Sequence, residues 1–271
     1  MVEAMGEEEG RNKEERGRQV MSVATNEVTL PSERWRSASV SCASDGSLAT
    51  TGHKVWPAAY ALAEFLLASQ RGFASLYLAS KPSVRVLELG AGTGWLGLTL
   101  ALNVPSIHEL MLTERDEGIR FLSSNVSSFI QSTSGLPASH ISVEALDWTR
   151  GCEEKIVGRQ WDLVIGSDLL YEEEGVRALV RCWKELLEAD THGEMTCLYC
   201  HTFGRFETID EQLFEELNTQ GLIAKDIPRK DEDDDNCKFK NEEDAPPAYS
   251  ELFPEMRQSV LSISLSKMKT S

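Results

Sequence analysis

Apolar and polar residues follow two different rhythms along the central part of this chain. Short apolar runs bounded by proline or glycine, such as the run from Val84 to Leu89, predict strands that are covered on both faces. Other stretches carry apolar residues three and four positions apart, as between Glu172 and Glu188, and these predict amphipathic helices. The regular alternation of the two patterns predicts an α/β protein with a doubly wound, Rossmann-like parallel sheet.

Seven strands and five helices follow from this pattern. The predicted strands run from Val84 to Leu89, His108 to Thr113, His140 to Ala145, Trp161 to Ser167, Glu194 to Thr202, Leu222 to Ile227 and Arg257 to Ser266. Four predicted helices lie between them, at Trp95 to Leu102, Asp116 to Ile130, Glu172 to Glu188 and Glu207 to Thr219, and a fifth begins at Pro57, before the first strand.

The remaining stretches bound a single predicted domain, residues 30–271. Residues 1–29 are charged and aperiodic, which predicts a disordered tail. Alternation between Trp35 and Ser47 predicts a short edge strand or hairpin that extends the domain at its N-terminal side. An acidic insert at residues 228–250 predicts a solvated loop, and a sharper hypothesis is that its acidic run docks a basic substrate face.

The first strand leads into a glycine turn and the start of a helix. Gly90, Gly92 and Gly94 let the backbone turn tightly, and without β-carbons a ligand can lie against the main chain at Gly90-Ala91-Gly92. The N–H groups that open the following helix point at such a ligand. These features predict a nucleotide-cradling turn.

Two ligand classes fit this turn, and Glu88 discriminates between them. Gly92, Gly94 and Gly97 form the GxGxxG fingerprint of dinucleotide-binding proteins. Read from Glu88, however, the stretch is ExGxGxG, and a carboxylate beside the turn would repel a pyrophosphate. S-adenosylmethionine carries no phosphate, and its sulfonium and ammonium groups are attracted by a carboxylate, so we favour this methyl donor over NAD.

Residues just past the other strands are the candidates for the rest of the site, because open α/β sheets bind ligands at the carboxyl ends of their strands. Glu114 follows the second strand and suits the hydroxyls of a ribose. Asp147 and Trp148 follow the third and could accept from an exocyclic amine and wall an aromatic ring. The fourth strand ends in Ser167-Asp168-Leu169-Leu170-Tyr171, which brings an acid and a phenol to the same edge.

Four strings together resemble the family-16 protein methyltransferases, over about residues 51–203. They are TGHKVWPAAYALAEFL, VLELGAGTG, LDWT and SDLLY. The resemblance implies a seven-strand sheet of order 3-2-1-4-5-7-6 with the last strand antiparallel, S-adenosylmethionine as donor, and a protein lysine as acceptor, with chaperones and translation elongation factors among the family's substrates. It also implies the roles of individual residues: donor binding by Trp56, Glu88, Gly90, Ala91, Gly92, Gly94, Glu114, Asp147, Trp148 and Ser167, and substrate placement and catalysis by Asp168 and Tyr171 of a DxxY motif.

Several alternatives remain open at this stage. A small-molecule or protein-histidine N-methyltransferase would share every donor motif, and an NAD-dependent oxidoreductase would share the glycine turn. A non-catalytic interaction module could keep the fold alone.

The amino-acid composition restricts the kinds of binding partner that we expect. A net charge of −17 and a pI near 4.8 argue against tracking a phosphate backbone, so we expect no nucleic acid. No apolar run approaches the length of a membrane span, the acidic start is unlike a secretory signal, and the six cysteines show no framework spacing.

The string CxxCH, from Cys197 to His201, lies in a predicted strand. The two cysteines would point to opposite faces of that strand and simply pack. The five histidines show no ligand spacing, so we expect no metal, and we expect a cytoplasmic monomer that could also enter the nucleus.

Overall fold

The computed structural model describes residues 35–43, 51–67, 78, 81–134, 140–227 and 256–266. The predicted N-terminal tail and the acidic segment at 228–250 lie outside these residues. The described helices are α1 (Pro57–Leu67), α2 (Trp95–Asn103), α3 (Asp116–Ser132), α4 (Glu154–Val157), α5 (Glu173–Ala189) and α6 (Glu207–Thr219). The strands are β1 (Val84–Leu89), β2 (Ile107–Glu114), β3 (Ile141–Ala145), β4 (Leu163–Ser167), β5 (Thr196–Phe203), β6 (Leu222–Asp226) and β7 (Arg257–Leu265).

The seven strands form one sheet in the order β3-β2-β1-β4-β5-β7-β6. All pairs from β3 to β5 are parallel, and β7 is antiparallel to both β5 and β6. The predicted fold and strand order are therefore confirmed. Because β1 lies in the middle of the sheet, the turn after it is central to the edge where the carboxyl ends of β1, β2 and β4 meet.

Helices cover both faces of the sheet, which is why the central strands are apolar on both sides. The β1 side chains alternate between two buried clusters: Val86 packs on the face that carries α1, α2 and α3, and Leu87 on the face that carries α5 and α6. The same alternation separates the two cysteines of the CxxCH string. Cys197 packs with the α5 side and Cys200 with the α1 side, as predicted.

The prediction of an edge strand or hairpin at Trp35 to Ser47 was wrong for its described part, since residues 35–43 form no strand. This segment crosses helices instead of pairing with a neighbouring strand. Asn103 on α2 and Asn125 on α3 each exchange two hydrogen bonds with its backbone, at Arg36 and Ser41 respectively. Its sequence alternates because one side, including Ala38, is buried against the helices.

A short 3₁₀ helix at Trp148–Arg150 and the four-residue α4 were not predicted from the sequence. Both lie between β3 and β4, and neither is long enough to show a helical period. Among the described residues, no helix combines the length and apolar character that a membrane crossing needs.

Candidate active site

A cavity that is partly open to solvent lies at the carboxyl ends of β1, β2 and β4. This is the edge at which the sequence placed the site. All the predicted site residues except Gly94 and Asp147 line it: Trp56, Glu88, Gly90, Ala91, Gly92, Glu114, Trp148, Ser167, Asp168 and Tyr171. Residues from distant parts of the sequence thus share one cavity.

The glycine turn lines the cavity, and at Gly90 it leaves no room for a side chain. Gly90 has φ +58°, and a β-carbon there would come within 2.6 Å of Leu169 and 3.0 Å of Trp148. Gly94 instead faces away from the cavity toward Leu122, directly before α2. Because Trp148 and Leu169 pack directly against Gly90, this position of the turn has to remain without a side chain.

Glu88 is the second-last residue of β1, directly before this turn, and the residue is 2 % exposed. Its Oε2 accepts a hydrogen bond from the Gly97 N–H at 2.9 Å, and only a glycine fits at that point because a β-carbon would lie 2.5 Å from the same oxygen. Burial raises the pKa of Glu88 to about 8, and the nearby Glu114 adds to the effect, whereas the Gly97 N–H opposes it. A cation beside Glu88 would favour its charged form.

Glu114 ends β2 and supports the turn from the other side. Its Oε2 accepts from the Gly92 N–H at 2.8 Å, and its Oε1 accepts from the Arg115 N–H at 3.0 Å. Burial raises the pKa of this carboxyl, and these two backbone bonds counter the rise. Each oxygen keeps a second lone pair, so the group could still accept from the hydroxyls of a ribose.

Asp147 and Trp148 have different roles in the structure. Asp147 caps the 3₁₀ helix, accepting from the Thr149 N–H at 3.1 Å and the Thr149 hydroxyl at 2.6 Å, and the hydroxyl bond is the main cause that lowers its pKa. Trp148 forms a wall of the cavity. Its backbone carbonyl accepts a hydrogen bond from Arg181 on α5 at 3.1 Å, which ties the Trp148 turn to that helix.

Asp168 follows β4 in the left-handed region, with φ +48°, which is uncommon for a residue other than glycine. One carboxylate oxygen accepts from the Thr202 N–H and the other from the Thr202 hydroxyl, both at 2.9 Å. Burial raises the pKa of Asp168, while the hydrogen bonds from Thr202 and the charge of Arg205 act in the opposite direction. The acid is thus anchored to the end of β5 while it lines the cavity.

Tyr171 lies three residues further on and hydrogen-bonds with the Arg115 side chain. Arg115 itself lines the cavity. It directly follows the predicted Glu114, so the rule that assigns function to residues past a strand could have found it. The phenol of Tyr171, the guanidinium of Arg115 and the carboxylate of Asp168 therefore line one cavity.

Trp56 closes the cavity on the side that precedes α1. Its indole N–H donates to the Thr51 carbonyl at 3.0 Å, and cations pack on the ring: Lys54 Nζ and Arg205 Cζ each lie 4.4 Å from the ring centroid. Neither of these cations, nor Thr202, was predicted from the sequence. Thr202 lies near the end of the fifth strand and Arg205 follows it, so applying the strand-end rule there would have indicated them.

These residues fit S-adenosylmethionine better than a dinucleotide. A cation can lie beside Glu88, an aromatic ring against Trp148 and a ribose near Glu114, whereas a pyrophosphate at the same turn would meet a buried acid. Within the described residues, no three histidine, cysteine or acidic side chains are grouped as they would be to hold a metal ion.

Comparison with known proteins agrees with this chemistry. Residues 38–220 match the model of a family described as lysine methyltransferase. Protein N-lysine methyltransferase METTL21A of Danio rerio is 31% identical over 171 residues, which cover 63% of this chain and 69% of that protein. EEF1A lysine methyltransferase 3 of Mus musculus is 26% identical over 188 residues, covering 69% of this chain and 71% of that protein.

A third relative, protein-lysine N-methyltransferase EFM3 of Chaetomium thermophilum, is 32% identical over 145 residues, covering 51% of this chain and 39% of that protein. The family match includes the glycine turn and the segments that end β2, β3 and β4. The chain therefore belongs to the lysine methyltransferase family.

Proposed function

We propose that this family member methylates a lysine side chain of a protein substrate, using S-adenosylmethionine, in the cavity at the carboxyl ends of β1, β2 and β4. The observation that carries the proposal is that the residues suited to the methyl donor and those suited to the acceptor lysine line one cavity. Glu88 and the glycine turn are suited to the donor, and Asp168 and Tyr171 line the same space.

The donor, when bound, supplies an electrophilic methyl group on a sulfonium. Glu88 would hold the cationic methionine part, and Glu114 would accept from the ribose hydroxyls. Trp148 would pack against the adenine ring, and Trp56 would cover the site from the opposite side. Asp147, which lies outside the cavity lining, would act mainly by fixing the turn that carries Trp148.

A lysine amine must lose its proton before it can attack a methyl group. With a pKa near 10.4 the free amine is protonated at pH 7, and exposing its lone pair costs roughly 4 to 5 kcal/mol. Burial of the amine beside a cation lowers that pKa, so the site itself offsets part of this cost. Asp168 and Tyr171 would orient the amine and accept its proton, directly or through water.

The position of Asp168 fits an orienting role. Its two oxygens are held by Thr202, so the carboxylate has a fixed direction, and each oxygen keeps a lone pair for the amine. Tyr171 interacts with the side chain of Arg115, which also lines the cavity. Alignment of the amine by Asp168 and Tyr171 would then account for most of the acceleration.

The class of substrate rests on the relatives. One is named for EEF1A, and others are named as protein N-lysine methyltransferases. We propose a chaperone or a translation factor as the acceptor, met in the cytoplasm by a monomeric enzyme. Recombinant elongation factor 1A and total cell protein are the two acceptors to try.

Donor binding is tested by calorimetric titration with S-adenosylhomocysteine, with NADH as the control ligand. We expect micromolar binding of S-adenosylhomocysteine and none of NADH, because Glu88 opposes a pyrophosphate. Binding of NADH alone would favour an oxidoreductase, and binding of neither would favour an interaction module.

A further inference from the structure

A chain of buried polar side chains lies behind the DxxY turn and takes no part in the proposed chemistry. Tyr199 and His201 are successive inward-facing residues of β5 on the α5 and α6 side of the sheet. Tyr199 is fully buried, and His201 is 3 % exposed. Buried polar groups in folded proteins nearly always have a hydrogen-bond partner. The hydrogen bonds of these side chains can therefore be traced from one residue to the next.

The bonds run from the turn after β4 to helix α6. The Leu169 N–H donates to the Tyr199 hydroxyl oxygen at 3.2 Å, and that oxygen lies 3.0 Å from His201 Nδ1. His201 Nε2 lies 2.7 Å from an Asp210 oxygen, and the other Asp210 oxygen accepts from the Gly204 N–H at 2.8 Å. The chain therefore links two loops, the one after β4 and the one after β5.

The direction of each proton follows from these partners. The Tyr199 oxygen accepts from the backbone, so its own proton is available to His201 Nδ1. Nδ1 is then an acceptor, and the ring carries its proton on Nε2, which donates to Asp210. Burial raises the pKa of Tyr199 well above its usual value, so the phenol keeps the proton on which this order depends.

Both linked loops carry residues that line the cavity or contact its lining. The turn after β4 contains Asp168 in its left-handed conformation and leads to Tyr171. Such a backbone conformation costs of order 1 to 3 kcal/mol and persists only where surrounding contacts determine it. The loop after β5 contains Arg205, which packs on Trp56.

We infer that Tyr199, held by His201 and Asp210, is a positioning residue that fixes the backbone of the DxxY turn and thereby the direction of Asp168 and Tyr171 toward the acceptor. Tyr199 acts on the chemistry only through the Leu169 backbone. The donor-binding groups at the ends of β1 and β2 lie outside this chain of bonds.

The main test is Tyr199→Phe, which removes one oxygen and keeps the ring. Two quantities are measured: amide hydrogen exchange at Leu169, and the initial rate of methyl transfer to total cell protein at saturating donor. We expect exchange at Leu169 to become at least about tenfold faster, while exchange in β4 at Ile165 stays within about twofold. We expect the transfer rate to fall about tenfold and S-adenosylhomocysteine affinity to stay within about threefold, because a small misplacement slows an aligned reaction without affecting the donor groups.

Trp183→Phe is the matched control. Trp183 packs on the same phenol ring, with centroids 5.0 Å apart, but is not one of the residues whose hydrogen bonds connect Leu169, Tyr199, His201 and Asp210. It should lower thermal stability and leave Leu169 exchange and the transfer rate close to wild type. A second pair separates the two bonds of His201. His201→Asn can still accept from the Tyr199 hydroxyl and should retain more activity than His201→Leu, which cannot.

Unchanged Leu169 exchange in Tyr199→Phe would overturn the inference, and so would an unchanged transfer rate. The inference would also be overturned if Trp183→Phe slowed methyl transfer as much as Tyr199→Phe does. A general loss of stability would then explain the slower transfer in both variants. The rate measurement rests on the proposed function, whereas the exchange measurement does not. If the wild-type protein transferred no methyl group, the proposed function would fail, and the effect on Leu169 exchange would decide the positioning role alone.

Discussion

At the scale of single residues, the buried Glu88 should make donor binding depend on pH. Its pKa is raised to about 8, so the free protein holds a neutral acid below that pH and a carboxylate above it. A ligand that places its ammonium group beside Glu88 binds the carboxylate form better. We therefore expect S-adenosylhomocysteine affinity to rise with pH, by up to about tenfold per unit, and to level off above the pKa.

Glu88→Gln provides the control for this prediction, because the amide keeps the shape of the neutral acid and cannot ionise. Calorimetric titrations between pH 6.5 and 9 should give an affinity that changes less with pH than in the wild type, and that is weaker at the alkaline end. The ligand's own amine titrates in this range, but it does so equally for both proteins. An identical pH dependence in the two proteins would exclude a role of Glu88 in holding the cation.

Asp168 and Tyr171 should affect turnover more than donor binding. Asp168→Asn preserves an acceptor for Thr202 while removing the negative charge, and Tyr171→Phe removes only the hydroxyl group. We expect either change to slow methyl transfer by about a hundredfold, as for loss of a proton-accepting or aligning group, with S-adenosylhomocysteine affinity within about threefold. A variant that binds donor and transfers at the wild-type rate would remove that residue from the mechanism.

At the scale of the elements, the structure shows which patterns in a sequence are informative. Strands of a parallel sheet are buried on both faces, so β1 and β4 could be recognised as short apolar runs, and the residues past their ends as site candidates. The segment at residues 35–43 also alternates, but its backbone bonds go to side chains of α2 and α3, more than sixty positions away. Local periodicity does not reveal such partners.

Local sequence patterns also failed to reveal some of the contacts in the candidate site. Arg115 could have been inferred because it adjoins Glu114, whereas the bond from Leu169 to Tyr199 joins residues thirty positions apart across two strands. The string that contains Tyr199 and His201 attracted attention for its cysteines. These cysteines only pack, and the residues beside them form the polar chain.

Asn125 on α3 should be important for the N-terminal segment. Its side chain is 3 % exposed, accepts from the Ser41 N–H, and donates to the carbonyls of Ser41 and Thr93. Asn125→Ala leaves buried backbone groups without partners, so we expect the free energy of unfolding to fall by about 1 to 3 kcal/mol. Urea denaturation measures this, with the more exposed Asn103→Ala as a comparison that should cost less. Equal losses would mean that burial does not decide the effect.

At the scale of the whole molecule, the charge of −17 is partly concentrated in the acidic segment between β6 and β7. On the C-terminal side of this segment, Arg257 at the start of β7 pairs with Phe203 at the end of β5. Our hypothesis remains that this segment docks a basic substrate face. Deleting residues 231–244 should then raise the KM for a protein acceptor and leave S-adenosylhomocysteine affinity unchanged, and an unchanged KM would contradict it.

The most direct test of the central claim is methyl transfer itself. Wild-type protein and Asp168→Asn are incubated with tritium-labelled S-adenosylmethionine and total cell protein, and the labelled acceptor is digested and sequenced by mass spectrometry. The account predicts that the wild type places methyl groups on a lysine of a protein, and that Asp168→Asn does so about a hundredfold more slowly. Label found only on histidine or only on small molecules, or no transfer by a protein that binds S-adenosylhomocysteine, would contradict it.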